Sequence, residues 1–142
     1  MLSVVIAAYN EAPCVNALYE QLQEVAQQND YPLDVIFVDD GSTDGTWEEI
    51  SKLAATHDDV RGIRLRRNFG KASALAEGFA AARGDLVITL DADLQDDPAD
   101  IPKFLAKVDE GVDVVSGWKR RRHDPLTRVF ASRVFNWLVR RI

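Results

Sequence analysis

Short apolar runs alternate along the chain with stretches in which apolar residues recur every three or four positions. Ser3–Ala8, Asp34–Val38, Gly62–Leu65, Leu86–Leu90 and Val112–Ser116 are brief, β-branched or apolar, and predict five strands. Val15, Leu18, Leu22, Val25 and Ala26 predict a helix from Pro13 to about Gln28, broken by Asn29-Asp30-Tyr31-Pro32. Gly41-Ser42-Thr43-Asp44 is a turn and cap before a second helix that runs to about Thr56. Lys71–Arg83 is an Ala-rich helix ended by Gly84, and Pro98 opens a helix to about Glu110, closed by Gly111. Leu126–Ile142 predicts one more helix. Buried-looking strands that alternate with helices imply an α/β fold, a mostly parallel sheet with helices on both faces.

Ligands of such sheets bind outside the carboxyl ends of the strands. The chemically unusual residues cluster there: Tyr9-Asn10-Glu11, Asp39-Asp40, Asn68, Asp91-Ala92-Asp93, and Lys119-Arg120-Arg121-Arg122. Two carboxylates two residues apart, Asp91 and Asp93, can share one divalent cation with the phosphates it carries, and Gln95 can add a neutral oxygen. Taken alone, the same triplet also suits a solvated acidic turn. Asp96 and Asp97, just before Pro98, complement a helix N-terminus. Asp39 and Asp40 can accept from a ribose or a base N–H, or can simply build the turn around Gly41. The Tyr9 ring can lie beside a base, and Glu11 can accept from a ribose hydroxyl. Lys71 stands at a helix N-terminus, where backbone N–H groups attract phosphate, and can help hold a diphosphate.

Charge divides the chain. Residues 1–117 carry 9 Lys/Arg against 22 Asp/Glu, and residues 118–142 carry 8 against the single Asp124. Residues 1–117 are therefore expected to form the ligand-binding core. Residues 118–142 are expected to add a basic loop and an amphipathic helix. The acidic body argues against wrapping nucleic acid, while the basic tail suits phosphates or anionic lipid. Leu126, Val129, Phe130, Val134, Trp137 and Leu138 share a face flanked by arginines. That face suits a membrane-interface helix, or one docked on the core of a longer protein. An exposed Phe130/Trp137 stripe would also favour a homo-oligomer. The single cysteine, Cys14, and the lack of a signal peptide fit a cytoplasmic, reducing compartment. There is no Gly-x-Gly-x-x-Gly after strand 1, no Walker-type loop, and no His/Cys set for zinc.

Four segments together carry a resemblance: Ala8-Tyr9-Asn10-Glu11, Val38-Asp39-Asp40-Gly41-Ser42-Thr43-Asp44-Gly45-Thr46, Arg67-Asn68-Phe69-Gly70-Lys71, and Asp91-Ala92-Asp93-Leu94-Gln95-Asp96-Asp97-Pro98. Through them the chain resembles the family-2 glycosyltransferases of the GT-A, Rossmann-like fold, and more closely the dolichyl- or polyprenyl-phosphate glycosyltransferases. The resemblance covers essentially the whole chain. It implies that Ala8, Tyr9, Glu11, Val38 and Asp40 line a nucleoside pocket, and that Asp91, Ala92 and Asp93 meet ribose and diphosphate. It further implies that Asp91, Asp93 and Gln95 hold Mg²⁺ or Mn²⁺, and that Lys119 or Arg120 binds the diphosphate. The implied donor is a nucleotide sugar of the GDP-mannose or UDP-glucose type. The implied acceptor is a polyprenyl phosphate, met peripherally at the cytoplasmic membrane face. Relatives continue past the point where this chain stops. The implied function is thus that of an inverting, metal-dependent glycosyltransferase, complete or truncated; the alternative is a truncated, non-catalytic fragment that binds nucleotide sugar or docks on membrane.

Overall fold

Period-two alternation decides how the central strands pack. In the computed structural model, which describes residues 1–117, β1 (Leu2–Ala8) sends Leu2, Val4, Ile6 and Ala8 into one apolar cluster and Val5 into another. β2 (Leu33–Asp39) divides likewise, with Leu33, Val35 and Phe37 on the first side and Ile36 and Val38 on the second. Strands apolar on both faces need a helical layer on each side. α1 (Ala12–Asn29) and α2 (Thr46–Thr56) supply the first layer through Leu18, Leu22 and Ile50. α3 (Lys71–Ala81) supplies the second, through Ala74 and Gly78. A Cβ on Gly78 would lie 3.3 Å from Val38 Cγ2 and closer still to Val5, so this helix packs on the sheet only with a glycine there.

β3 (Val60–Arg64) and β4 (Leu86–Asp91) complete the sheet. Its order is β3-β2-β1-β4, and every pairing is parallel. A single 3₁₀ turn, Pro98–Asp100, leads into α4 (Ile101–Asp109), whose Ile101 is buried in the first cluster. The chain thus builds outward from β1 to β3, then crosses back to place β4 on the other side of β1. That reversal lies between β1 and β4, the position at which doubly wound sheets open a crevice. In register Ala7 stands beside Asp91, and Ala8 beside Asp39.

Two expectations change. Val112–Ser116 is not a strand: the described sheet has four strands, and the chain after α4 is irregular. Val114 is 85% exposed. A β-branched run becomes a strand only where an edge pairs its backbone and a layer covers its side chains, and among the described residues it has neither. Val87, on β4, is left 45% exposed. Secondly, α3 ends at Ala81 rather than Arg83. Arg83 N–H donates to Ser3 Oγ and Asp34 Oδ2, both at 3.1 Å, and Gly84 N–H donates to Ser3 Oγ at 2.8 Å. These buried acceptors compete for the amides that a continuing helix would need. The expected basic loop and helix over 118–142 lie outside the described residues.

Candidate functional site

The backbone at the switch point is shaped by side chains of the loop that follows β2. Asp39 is fully buried, and its Oδ1 accepts from Ser42 N–H at 2.9 Å, closing the turn through Gly41 (φ +72°). A Cβ at Gly41 would fall 2.6 Å from Arg67 Cα, so the two loops cross only because that position has no side chain. Asp40 reaches the other way: its two oxygens accept from Phe69 N–H at 2.8 Å and Gly70 N–H at 2.9 Å. One buried carboxylate thereby fixes the entry to α3 and sets Lys71 at that helix's first position.

The same loop grips the start of α1. Asn10 N–H donates to Ser42 Oγ and Glu11 N–H to Thr46 Oγ1, each at 2.9 Å; Ala12 N–H donates to Asp44 Oδ2 at 3.3 Å. Thr43 N–H returns a bond to Asn10 Oδ1 at 2.9 Å. Asn10 takes a positive φ of 57°, a conformation that asparagine tolerates better than most residues. Sequence reasoning did not assign Asn10, Ser42, Asp44 and Thr46 to this scaffold. The readable signals were an Asn before a helix start and an Asp-x-Thr spacing of the kind that caps backbone amides.

Between these loops and the end of β4 lies a cavity of about 310 Å³, lined by Ala7, Ala8, Tyr9, Glu11, Asp40, Asn68, Gly70, Lys71, Asp91, Ala92 and Asp93. Eight of the expected residues meet there: Ala8, Tyr9, Glu11, Asp40, Lys71, Asp91, Ala92 and Asp93. Val38 packs in the second core cluster, and Asp39 is buried in its turn, so the side chains of both lie outside the lining. Gln95 lines a neighbouring groove of about 890 Å³ beside α4, together with Asp91, Asp97 and Asp100. Lys119 and Arg120 lie outside the described residues.

The cavity is strongly charged. Asp91 pairs with the Lys71 ammonium, and Asp93 Oδ1 accepts from Gln95 N–H at 3.0 Å. Leu94 between them takes φ 58°, a strained conformation for a branched side chain, which turns the acidic loop back on itself. Tyr9 is 45% exposed and offers its ring to the opening. Burial, then the charge and hydrogen bond of Glu11 and the charge of Asp93, push the Cys14 thiol above its ordinary value. That is the reverse of what a nucleophile needs.

Hard carboxylate oxygens suit Mg²⁺ or Mn²⁺. Among the described residues no group of three or more His, Cys, Asp or Glu stands ready to hold a metal alone. Asp91 and Asp93 offer carboxylate oxygens of the kind that Mg²⁺ takes one or two of, alongside phosphate oxygens and water. No helix of the described residues is long and apolar enough to cross a membrane.

Comparison with known proteins places the fold. The chain is 39% identical over 141 residues to the undecaprenyl-phosphate 4-deoxy-4-formamido-L-arabinose transferase of Salmonella choleraesuis (strain SC-B67), covering 99% of this chain and 43% of that protein. The Aeromonas hydrophila subsp. hydrophila protein of the same name is 42% identical over 137 residues, with 96% and 42% covered. The chain thus spans less than half the length of these curated relatives. Among solved structures, glucosyl-3-phosphoglycerate synthase from Mycobacterium tuberculosis in complex with UDP superposes with a TM-score of 0.65 at 27% identity. That superposition covers 86% of this chain and 45% of the other. A mannosyltransferase from Pyrobaculum calidifontis, in complex with GDP-Man and Mn²⁺, gives 0.55 at 34% identity, over 65% and 27% of the two chains. The α/β parallel sheet is shared architecture, and residues 3–140 match the model for glycosyl transferase family 2, the family to which this chain belongs.

Proposed function

We propose that this chain forms the donor side of an inverting glycosyltransferase that moves a sugar from a nucleotide sugar to a polyprenyl phosphate. The observation that carries the reading is the register of β1 and β4. It pairs Ala7 with Asp91 at the ends of the two strands, so that Ala8-Tyr9 and Ala92-Asp93, which follow, line one cavity with Lys71 at the start of α3. Tyr9 offers a ring to the base, and Glu11 a carboxylate to the ribose. α3 begins without a side-chain cap, which leaves its N-terminal dipole to attract the diphosphate; Lys71 stands at the same end, paired with Asp91. Lys119 or Arg120, both outside the described residues, would add positive charge to the same task.

Asp91 and Asp93, with Gln95, are the residues that would hold Mg²⁺ or Mn²⁺, whose chemistry is to neutralise the charge on the departing nucleoside diphosphate. The acceptor phosphate is already an anion, so its attack needs no base to remove a proton. Its oxygen bonds to the anomeric carbon from the face opposite the leaving group; the bond to the diphosphate breaks, and the configuration inverts. A lipid-linked acceptor puts the protein peripherally at a membrane surface, for which we favour the cytoplasmic face.

Thermal unfolding of the chain with UDP, GDP and their sugars, with and without Mn²⁺, tests the donor half. Ligand at a hundred times its Kd stabilises by about 2.7 kcal/mol, so a productive nucleotide raises Tm by several degrees. Asp93→Ala is expected to abolish the Mn²⁺-dependent part of that rise, and equal shifts for Asp93→Ala and wild type count against the metal assignment. Transfer of radiolabelled sugar to undecaprenyl phosphate tests the other half. Donor binding without transfer leaves a nucleotide-sugar-binding unit and removes the transferase.

A further inference from the structure

Lys71 is not waiting for a ligand: its ammonium already pairs with Asp91, the first carboxylate of the acidic triplet. Asp40 makes that placement a property of the fold, because it clamps the amides of Phe69 and Gly70 directly before Lys71. Asp93 is different, since its Oδ1 accepts only a backbone N–H from Gln95 at 3.0 Å. One of the two expected metal carboxylates is therefore neutralised from within, and the other is not.

We infer that Lys71 acts as an internal counter-ion that occupies Asp91 until a nucleotide diphosphate draws it away, so that metal and nucleotide must bind together. The inference rests on the donor-site reading above. A divalent ion that arrives alone must displace the ammonium from Asp91 and then share the cavity with its positive charge. A diphosphate offers Lys71 a stronger anionic partner within the same cavity and frees Asp91 for the ion. The result is a thermodynamic coupling, in which nucleotide raises affinity for metal and metal raises affinity for nucleotide by the same factor. Lys71 is here a positioning residue: it acts through Asp91 and through the phosphate.

The test is Mn²⁺ binding by electron paramagnetic resonance to the full chain, with and without UDP or GDP. The proteins are wild type, Lys71→Met, Asp93→Asn, and Arg67→Met as a charge control. Arg67 belongs to the same loop, but its guanidinium lies 4.8 Å from the Phe69 ring centroid. For a half-exposed ion pair beside a divalent site, removing the lysine should tighten binding of Mn²⁺ alone by roughly three- to tenfold. Arg67→Met should change it less than twofold, and the enhancement by nucleotide should shrink in Lys71→Met alone. Equal binding of Mn²⁺ alone by Lys71→Met and wild type, or equal effects of the Lys71 and Arg67 variants, overturns the counter-ion while Asp93→Asn still loses the ion. Mn²⁺ binding that ignores Asp93→Asn overturns the metal reading, and the counter-ion with it. Circular dichroism of each variant confirms that the fold is retained before binding is compared.

Discussion

At the scale of single residues, Gly41 decides more than its size suggests. It holds a positive φ, and it leaves room where the backbone of Arg67 crosses. Gly41→Ala therefore adds a left-handed conformation to a backbone collision, a combination expected to cost about 2 kcal/mol or more in urea unfolding. Nucleotide binding should fall alongside, since Asp40 and the Phe69–Gly70 amides belong to the same crossing. Tyr9 makes the opposite case. Half exposed, it supports little of the fold, and Tyr9→Ala should leave Tm nearly unchanged while weakening nucleotide affinity about tenfold by titration calorimetry, in line with the loss of one base–aromatic stack. That the acidic triplet and Tyr9 come together at one rim was readable from sequence, because both follow parallel strands whose carboxyl ends lie on the same side of the sheet. Asn10, Ser42, Asp44 and Thr46 carry local turn and capping signals, but those signals do not say which loop they bind. Their work depends on which loop lies alongside which, and that follows from β1 pairing with β2, not from local spacing.

Between elements, two polar junctions tie helices and strands together and respond to pH in opposite directions. Asp34 joins β2 to β3 through Arg61 Nη2 at 2.5 Å, and to β1 through Ser3 Oγ at 2.6 Å. Burial pushes its carboxyl up. The hydrogen bonds from Ser3, Arg61 and the Arg83 amide, with the Arg61 charge, outweigh burial and hold it below the ordinary value of 3.8. The stability it gives is complete above 3.8 and is lost as pH falls below that value. Asp34→Asn should therefore flatten the acid limb of a stability–pH curve. Tyr19 joins α1 to the loop before β3, its hydroxyl donating to Asp59 Oδ1 at 3.1 Å. Burial first, then the Asp59 hydrogen bond and charge, push the phenol from 10.0 up to about 12. The protonated form is the one favoured by folding, so this contribution is full below pH 10 and fades as pH rises toward 12. Tyr19→Phe should remove that alkaline dependence, as read by urea midpoints across the range. Element boundaries moved where such junctions interfered: α3 stops two residues early because Ser3 and Asp34 take its amides.

For the whole molecule, β1 and β2 are the spine shared by both helical layers, and Phe37 is the largest side chain fully buried in it. Phe37→Ala is expected to cost about 3–5 kcal/mol, with one cooperative transition retained. The alternation of strand and helix was legible in sequence as far as α4, because both central strands are apolar on two faces and their helices carry matching stripes. The expected strand at Val112–Ser116 failed for a reason outside its own composition, since a strand exists only with a partner edge.

The sheet order also determines when the cavity can come into being. Ala7 and Asp91 touch across neighbouring strands, yet most of the described chain separates them in sequence. The crevice cannot be assembled from any local fragment: it appears only once β4 has docked against β1, among the slowest contacts for a chain to make. If the cavity takes a nucleotide as proposed, its occupancy reports completed folding. A protein caught partway, however much helix it had already formed, would be blind to its own ligand.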